Sequence, residues 1–477
     1  MLPARNYYDN RWDWSNIDLS SIIFPRNFII GTASSAMQTE GTITVHNKST
    51  VNSWTIWESQ YIFKNGILQP RFEPTRRVGS ACNHWNLYAI DFKLAADIGI
   101  KAHRYSLEWS KIEPKKGVFD EEAMQHYIDY TWELIKNNII PIPTLFHHTW
   151  PLWFDYPEHG PNEKNPHKPG FQDARNIADY VEYAVYVFTS FQKAGLLKYV
   201  KLWLTFNEPV GHTLAAYIYA KYPPGKKYRF RLCGIVTKNM LDAHIAAYDA
   251  FKSIDPSVKI SFAHMMQPIQ PYHTWNPLDQ LPAIIFDYLL NDAALLYFKT
   301  GYFNWAWLVR GFNENARNKL DFIGVNYYTH TLLKLFKEAT RPDEQLSDPY
   351  DDKEGKAMYA EGLYYSLQKA AQLNVPIIVT ENGFASDNNK LREEYIRKHL
   401  YVILKCMEEG IDIRGYLFWT LTDCFGWNSA LHSKHGIFKV DFETQERTLK
   451  ESAQCLIDIM KESAHSEIAI EPLTPLL

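Results

Sequence analysis

Two glutamates occupy positions that are costly for a carboxylate. In WLTFNEPVG (residues 203–211) an apolar, strand-forming run ends on Asn207 and Glu208, and Pro209 stops it. In PIIVTENGF (376–384) Glu381 ends a second such run. A charge at the end of an apolar run is unfavourable unless something there pairs or uses it. One such residue could be satisfied by a local salt bridge or a helix cap. Two of them facing each other across a polar pocket could instead break a glycosidic bond by double displacement. One would be ionised and attack the anomeric carbon. The other would be protonated at rest, would protonate the departing oxygen, and would then deprotonate water. That outcome needs carboxyl groups about 5 Å apart. Like charges at that range push the two pKa values apart, which keeps one group protonated.

The elements around these residues have to bring them together. Short apolar runs at 28–33, 101–109, 139–147, 200–207, 259–264, 320–328, 376–382 and 413–421 read as strands. Between them lie amphipathic stretches such as AMQHYIDYTWELIKNN and LREEYIRKHLYVILKCMEEG, apolar at spacings of three and four and several ending at Gly or Asn. Eight strand–helix alternations without a linker, repeat or low-complexity break predict an α/β chain, a single (β/α)8 TIM barrel spanning 1–477. The charged, turn-rich segments 158–170 and 341–356 read as long βα loops that shape the mouth of a site. In such a barrel the site lies at the C-terminal ends of the strands. Glu208 ends the fourth run and Glu381 the seventh, and Arg104, His147, Tyr328 and Trp419 lie at or near other strand ends. Core packing is a poor explanation for six strand ends delivering such groups to one rim. Singly, Arg104 could be a strand-end ion pair, His147 a core imidazole, and Tyr328 and Trp419 packed rings.

Composition narrows the function classes. The 477 residues are 46% hydrophobic and 22% charged, with net charge −4, and the most basic stretch, YPPGKKYRFR (222–231), reads as a turn. Nucleic acid is therefore not an expected partner. Five scattered cysteines without paired or metal-site spacing suggest reduced thiols and a cytoplasmic setting. No leader opens the chain, no apolar run looks long enough to span a bilayer, and Asn47-Lys48-Ser49 is a short match to a glycosylation acceptor. Phosphate-cradling glycine spacings are missing, and the adjacent His147 and His148 do not form a metal pair, so no cofactor or metal is expected. The chain carries 15 Trp, 30 Tyr and 26 Phe, which suits either a large core or a site that packs on the face of a pyranose.

In these segments the chain resembles glycoside hydrolase family 1, the β-glucosidase, β-galactosidase and phospho-β-glycosidase family. TFNEP and TENG look like its two catalytic motifs, and FIIGTASSAMQTEG, HRYSLEW, PTLFHHTWPLWF, DFIGVNYY and LFWTLTD follow in family order. The resemblance implies a retaining enzyme acting on a small β-glycoside, with Glu208 as acid/base and Glu381 as nucleophile. It implies that Arg104 and Tyr328 hold Glu381, that Asn207 bonds the sugar 2-hydroxyl, and that Gln38 and His147 bond hydroxyls beyond it. Asn326 would join the substrate-binding set, and Trp419 and Trp427 would line the pocket.

Two positions depart from the pattern. WTLTDCFGW (419–427) has Gly426 where the family usually has a sugar-gripping Glu, and His148 replaces the usual Trp after the motif histidine. Loss of a charged partner to two hydroxyls weakens an ordinary hexose by about 1.5–3 kcal/mol. The pocket could then take a sugar altered at C4 or C6, or another residue could replace the Glu. Lys434, with Ser429, Ser433 and His435 nearby, keeps a 6-phospho-β-glycosidase open, although the tyrosine expected of that branch is missing. A transglycosylase and a weakly active carbohydrate-binding protein also remain open.

Overall fold

Eight short apolar strands pair in parallel, each with its two neighbours, until the last meets the first. In this computed structural model, residues 12–470 are described except 43–49, 65–66, 156–167, 340–356 and 433. The strands are β1 (Ile29–Ala33), β2 (Ala102–Ser106), β3 (Ile140–Phe146), β4 (Leu202–Asn207), β5 (Lys259–Met265), β6 (Ile323–Asn326), β7 (Ile377–Asn382) and β8 (Ile413–Trp419). They close in sequence order, with β1 paired to both β8 and β2. The helices that follow them in turn are α1 (His84–Asp97), α2 (Glu121–Lys136), α3 (Ile177–Lys193), α4 (Phe230–Ile254), α5 (Ala293–Thr300), α6 (Ala360–Ala371), α7 (Asn389–Glu408) and α8 (Gln454–Ala464). The expected TIM barrel is present.

The strands read as continuous apolar runs because helices cover one face and barrel-filling side chains the other. Ile29, Ile140, Ile142, Leu202, Leu204 and Leu417 belong to the inner cluster, while Trp203, Phe206, Val325 and Val379 pack outward against the helices. Helix starts follow local chemistry: Asp120 accepts from the N–H groups of Glu122 and Ala123 to open α2. The run expected at 101–109 stops as a strand at Ser106. Trp109 then opens a one-turn helix (Trp109–Ile112) and is buried, so packing decides that boundary.

The register slips beside both glutamates. The β4–β5 pairing shifts between Leu204 and Asn207, and the β7–β8 pairing shifts between Val379 and Asn382. Such irregularities re-aim the side chains that follow them.

One expectation needs correcting. The helical stretch Pro277–Thr300 is long and apolar enough to cross a membrane by composition, with 61% of its most apolar window buried inside the fold. All five cysteines are free and buried. The insertion at 341–356, most of that at 158–170, Asn47-Lys48-Ser49, Ser433 and the final 471–477 lie outside the described residues.

Candidate active site

Glu208 follows β4 with left-handed backbone angles (φ 48°, ψ 55°), and Pro209 opens the short helix Pro209–Tyr217. This accounts for the sequence NEP. The strand delivers Glu208, and proline, which lacks an N–H, sits at the first helical position where none is needed. The Glu208 N–H is satisfied by the Ala263 carbonyl at 2.7 Å.

Glu381 is held from two sides. Arg104 Nη1 donates to its Oε1 at 2.5 Å, and Tyr328 Oη donates to its Oε2 at 2.6 Å. Arg104 is fully buried, and the rest of its fork is also used: Nη2 bonds Asn207 Oδ1 at 2.7 Å and Nε bonds Thr144 Oγ1 at 3.1 Å. The guanidinium and the phenol together fix both oxygens of the Glu381 carboxyl group. The Tyr328 hydroxyl is pushed well above its usual range by burial and by the charges of Glu381 and Glu208, so it remains a donor.

Glu208 has a different environment. Asn326 Nδ2 donates to Glu208 Oε1 at 2.8 Å and to Asn207 Oδ1 at 2.9 Å, and the Thr380 hydroxyl fixes Asn326 from behind at 2.7 Å. The Glu208 side chain is 14% exposed, against 4% for Glu381. His148 Nε2 stands 3.9 Å from Glu208 Oε2.

Hydrogen bonding also sets the histidine tautomers. Asn207 Oδ1 accepts from Arg104 and Asn326, so its amide nitrogen faces His147 Nε2 and His148 Nε2, both at 3.2 Å. Both ring nitrogens must therefore accept, which puts the protons on Nδ1. His148 Nδ1 then donates to His212 Nδ1 at 3.2 Å, while His147 Nδ1 is buried without a partner. Burial and the surrounding positive groups hold His147 and His148 well below the ordinary imidazole range, and burial takes His212 down to about 3. All three rings are neutral.

The two glutamates line one cavity of about 530 Å³ together with Gln38, His147, His148, Asn207, Tyr328, Trp419, Gly426 and Trp427. Arg104 holds Glu381 from behind the cavity, and Asn326, expected in the substrate-binding set, grips Glu208 without lining the cavity. The Gln38 amide is engaged, accepting from Ser35 Oγ at 2.8 Å and donating to the Phe425 carbonyl at 2.6 Å. Lys434 does not line the cavity. Its segment is pinned through carbonyls, with Lys434 O accepting from Arg392 at 2.7 Å and from Lys450 at 2.9 Å, and Ser429 and His435 reach the cavity instead.

TFNEP and TENG lie at the ends of the fourth and seventh strands of the closed barrel. The profile of glycosyl hydrolase family 1 covers residues 20–465.

The chain belongs to glycosyl hydrolase family 1.

As a member of this family it is a glycosidase of the retaining kind. A 6-phospho-beta-galactosidase of Staphylococcus epidermidis is 28% identical, the alignment covering 90% of this chain and 96% of that protein. A beta-glycosidase from Pyrococcus horikoshii superposes with a TM-score of 0.77 at 29% identity, over 93% of this chain and 96% of that one. A family 1 β-glucosidase from Thermotoga maritima gives 0.78 at 23% identity, over 93% and 98%, and supports the fold.

Within this family 1 glycosidase, sequence reasoning missed His212, Thr144, Thr380 and Tyr222. His212 had a readable signal: it lies four residues after Glu208 in a helix opened by proline, so its ring returns to the same side. The ring stacks on His148 with centroids 5.3 Å apart. Thr144 and Thr380 carried none, since their role is to fix Arg104 and Asn326.

Proposed function

We propose that the protein hydrolyses a small β-glycoside through a covalent glycosyl-enzyme, with Glu381 as nucleophile and Glu208 as acid/base. The observation that carries this assignment is the asymmetry of the two carboxylates. Glu381 has a buried cation and a phenol donating to it, which favours an ionised attacker. Glu208 is more exposed, has a neutral amide donor, and has His148 beside it. In the first step Glu381 forms a bond to the anomeric carbon as the glycosidic C–O bond breaks, and the Glu208 proton goes to the leaving oxygen. In the second, Glu208 takes a proton from water as that water displaces Glu381. Asn207, fixed by Arg104, bonds the 2-hydroxyl, and His147 Nδ1–H donates to a hydroxyl further round the ring. The whole chain acts as one catalytic domain in a cytoplasmic setting, and water rather than a second sugar resolves the intermediate.

Glu381→Ala should abolish turnover and regain part of it with azide, giving the α-glycosyl azide; a β-azide would reverse the assignment. Glu208→Ala should spare substrates with good leaving groups by a factor of 100 or more relative to poor ones. Equal losses on both would remove Glu208 from the acid role.

A second reading of the sugar is favoured by specific observations. Gly426 presents no side chain, and Ser429 and His435 line the adjoining wall. That wall fits a 6-phosphorylated sugar, the substrate named for the staphylococcal relatives. Lys434 lies off the cavity, so a phosphate here would rely on Ser429, His435 and backbone N–H groups. Turnover of nitrophenyl β-glucoside, β-galactoside and 6-phospho-β-galactoside separates the two sugars.

A further inference from the structure

The cavity has two chemically different ends. Trp419, Trp427 and His147 bring ring faces to one of them, with His147 about 6 Å from each indole and nearly parallel to both. The other end begins at Glu208 and follows the helix that Pro209 opens. Gly211, Leu214 and Ala215 come round on one helical face and line the cavity, and Met265, Ile269 and Leu332 from strands and Leu290 from the helical segment Tyr288–Asp292 also line it. Leu214, Ile269, Leu290 and Leu332 are all at least 95% buried.

Three of the polar side chains at this end are already engaged. The Gln267 amide donates to Thr331 Oγ1 at 2.5 Å, the Thr329 hydroxyl donates to the Ala357 carbonyl at 2.7 Å, and His330 Nδ1 pairs with Gln270 Oε1 at 2.8 Å. Among the described residues, charge returns at the rim, where Lys221 and Glu338 approach to 3.9 Å. A leaving group protonated by Glu208 must lie along this wall.

We propose that this end is a subsite for an apolar, chain-like aglycone such as an alkyl or isoprenoid alcohol, and not for a second sugar. The inference rests on the retaining-glycosidase reading and names its substrate class. A sugar here would trade hydration of several hydroxyls for contact with aliphatic carbon and with polar groups bonded elsewhere. An alkyl chain gains at every buried methylene.

The test is calorimetric binding of methyl, butyl, hexyl and octyl 1-thio-β-glucosides and 1-thio-β-galactosides, below their micelle concentrations, beside 4-nitrophenyl 1-thio-β-cellobioside. Affinity should rise by up to about fourfold per added methylene until the groove is full, and Leu332→Asn should shrink the octyl-to-methyl ratio at least tenfold. Flat affinity along the series, no binding by any member, or a thiocellobioside binding as well as the octyl compounds would overturn the proposal. An unchanged ratio in folded Leu332→Asn would also overturn it. Thioglycosides are not turned over, so the two readings can fail separately. Chain-length-dependent binding without turnover of any nitrophenyl glycoside sinks the glycosidase reading alone; turnover with flat binding sinks the aglycone alone.

Discussion

At the residue scale, catalytic identity depends on partners more than on residue type. Glu381 and Glu208 are chemically the same residue, separated by what donates to each. Tyr328 is the most informative partner to remove, because its hydroxyl touches Glu381, the proposed nucleophile, and its ring packs against the inner barrel cluster. Tyr328→Phe should keep the fold while lowering kcat/KM by roughly 10- to 100-fold, since a hydrogen bond to a charged group contributes about 1.5–3 kcal/mol. Stopped-flow assay alongside a melting curve checks this; a matching loss of stability would mean a packing role only. Gly426 is the opposite case, a position where a group is missing. Its backbone is paired to Ala430 in both directions, at 2.6 and 2.8 Å, and its φ is not positive, so a side chain meets no backbone strain. Gly426→Glu should lower KM for nitrophenyl glucoside by about tenfold or more, one charged hydrogen bond. An unchanged KM would mean another residue already grips those hydroxyls.

At the element scale, the site depends on how closely the strands approach. Gly31 on β1 is one position where a side chain cannot fit: a Cβ there would lie 2.3 Å from the Ala102 carbonyl oxygen and 2.8 Å from Leu417. Gly31→Val should push β1 away from β2 and destabilise the protein by about 3 kcal/mol or more. The check is the urea midpoint, which should fall without a change in slope. A variant as stable as the parent would show that the barrel opens more easily than its packing suggests. The register shifts before Asn207 and after Val379 belong to this scale too, because they aim both carboxylates into one cavity.

For the whole molecule, buried titratable groups determine how stability responds to pH. His103, His212 and His399 are held down to about 3, and His244 and His264 to about 4, each chiefly by burial. Below pH 6.5 the unfolded chain binds protons at these sites and the folded chain does not. Stability is therefore lost as pH falls, by up to about 1.4 kcal/mol per histidine for the first pH unit. Burial raises Glu58 and Glu113 to about 7 and Asp155 to about 6, and these act in the opposite direction, favouring the folded state as pH falls through the same window. His126, His147 and His148 are also held down and Glu108 and Asp292 also raised, so among the described residues eight histidines outweigh five carboxyls. The melting temperature should therefore drop from pH 7 to pH 5, and a flat or rising profile would mean that the buried imidazoles take up protons without unfolding.

The sequence alone determined the barrel, because parallel strands buried on both faces need apolar runs that no other element at that spacing requires. It also pointed to the glycosidase class, because two carboxylates ending such runs, within the segments TFNEP and TENG, resemble the family that the profile over residues 20–465 identifies. Tertiary structure decided which residues line the cavity and which stand behind it. Asn326 is expected in one set with Gln38 and His147, yet it grips Glu208 from beneath, since side-chain direction at a strand end depends on register. Lys434 was expected at the pocket, but carbonyl bonds to Arg392 and Lys450 fix its segment while Ser429 and His435 reach the cavity. The aliphatic wall beyond Glu208 could not be read from the chain, because Leu214, Met265, Ile269, Leu290 and Leu332 come from separate segments that only the closed barrel brings together.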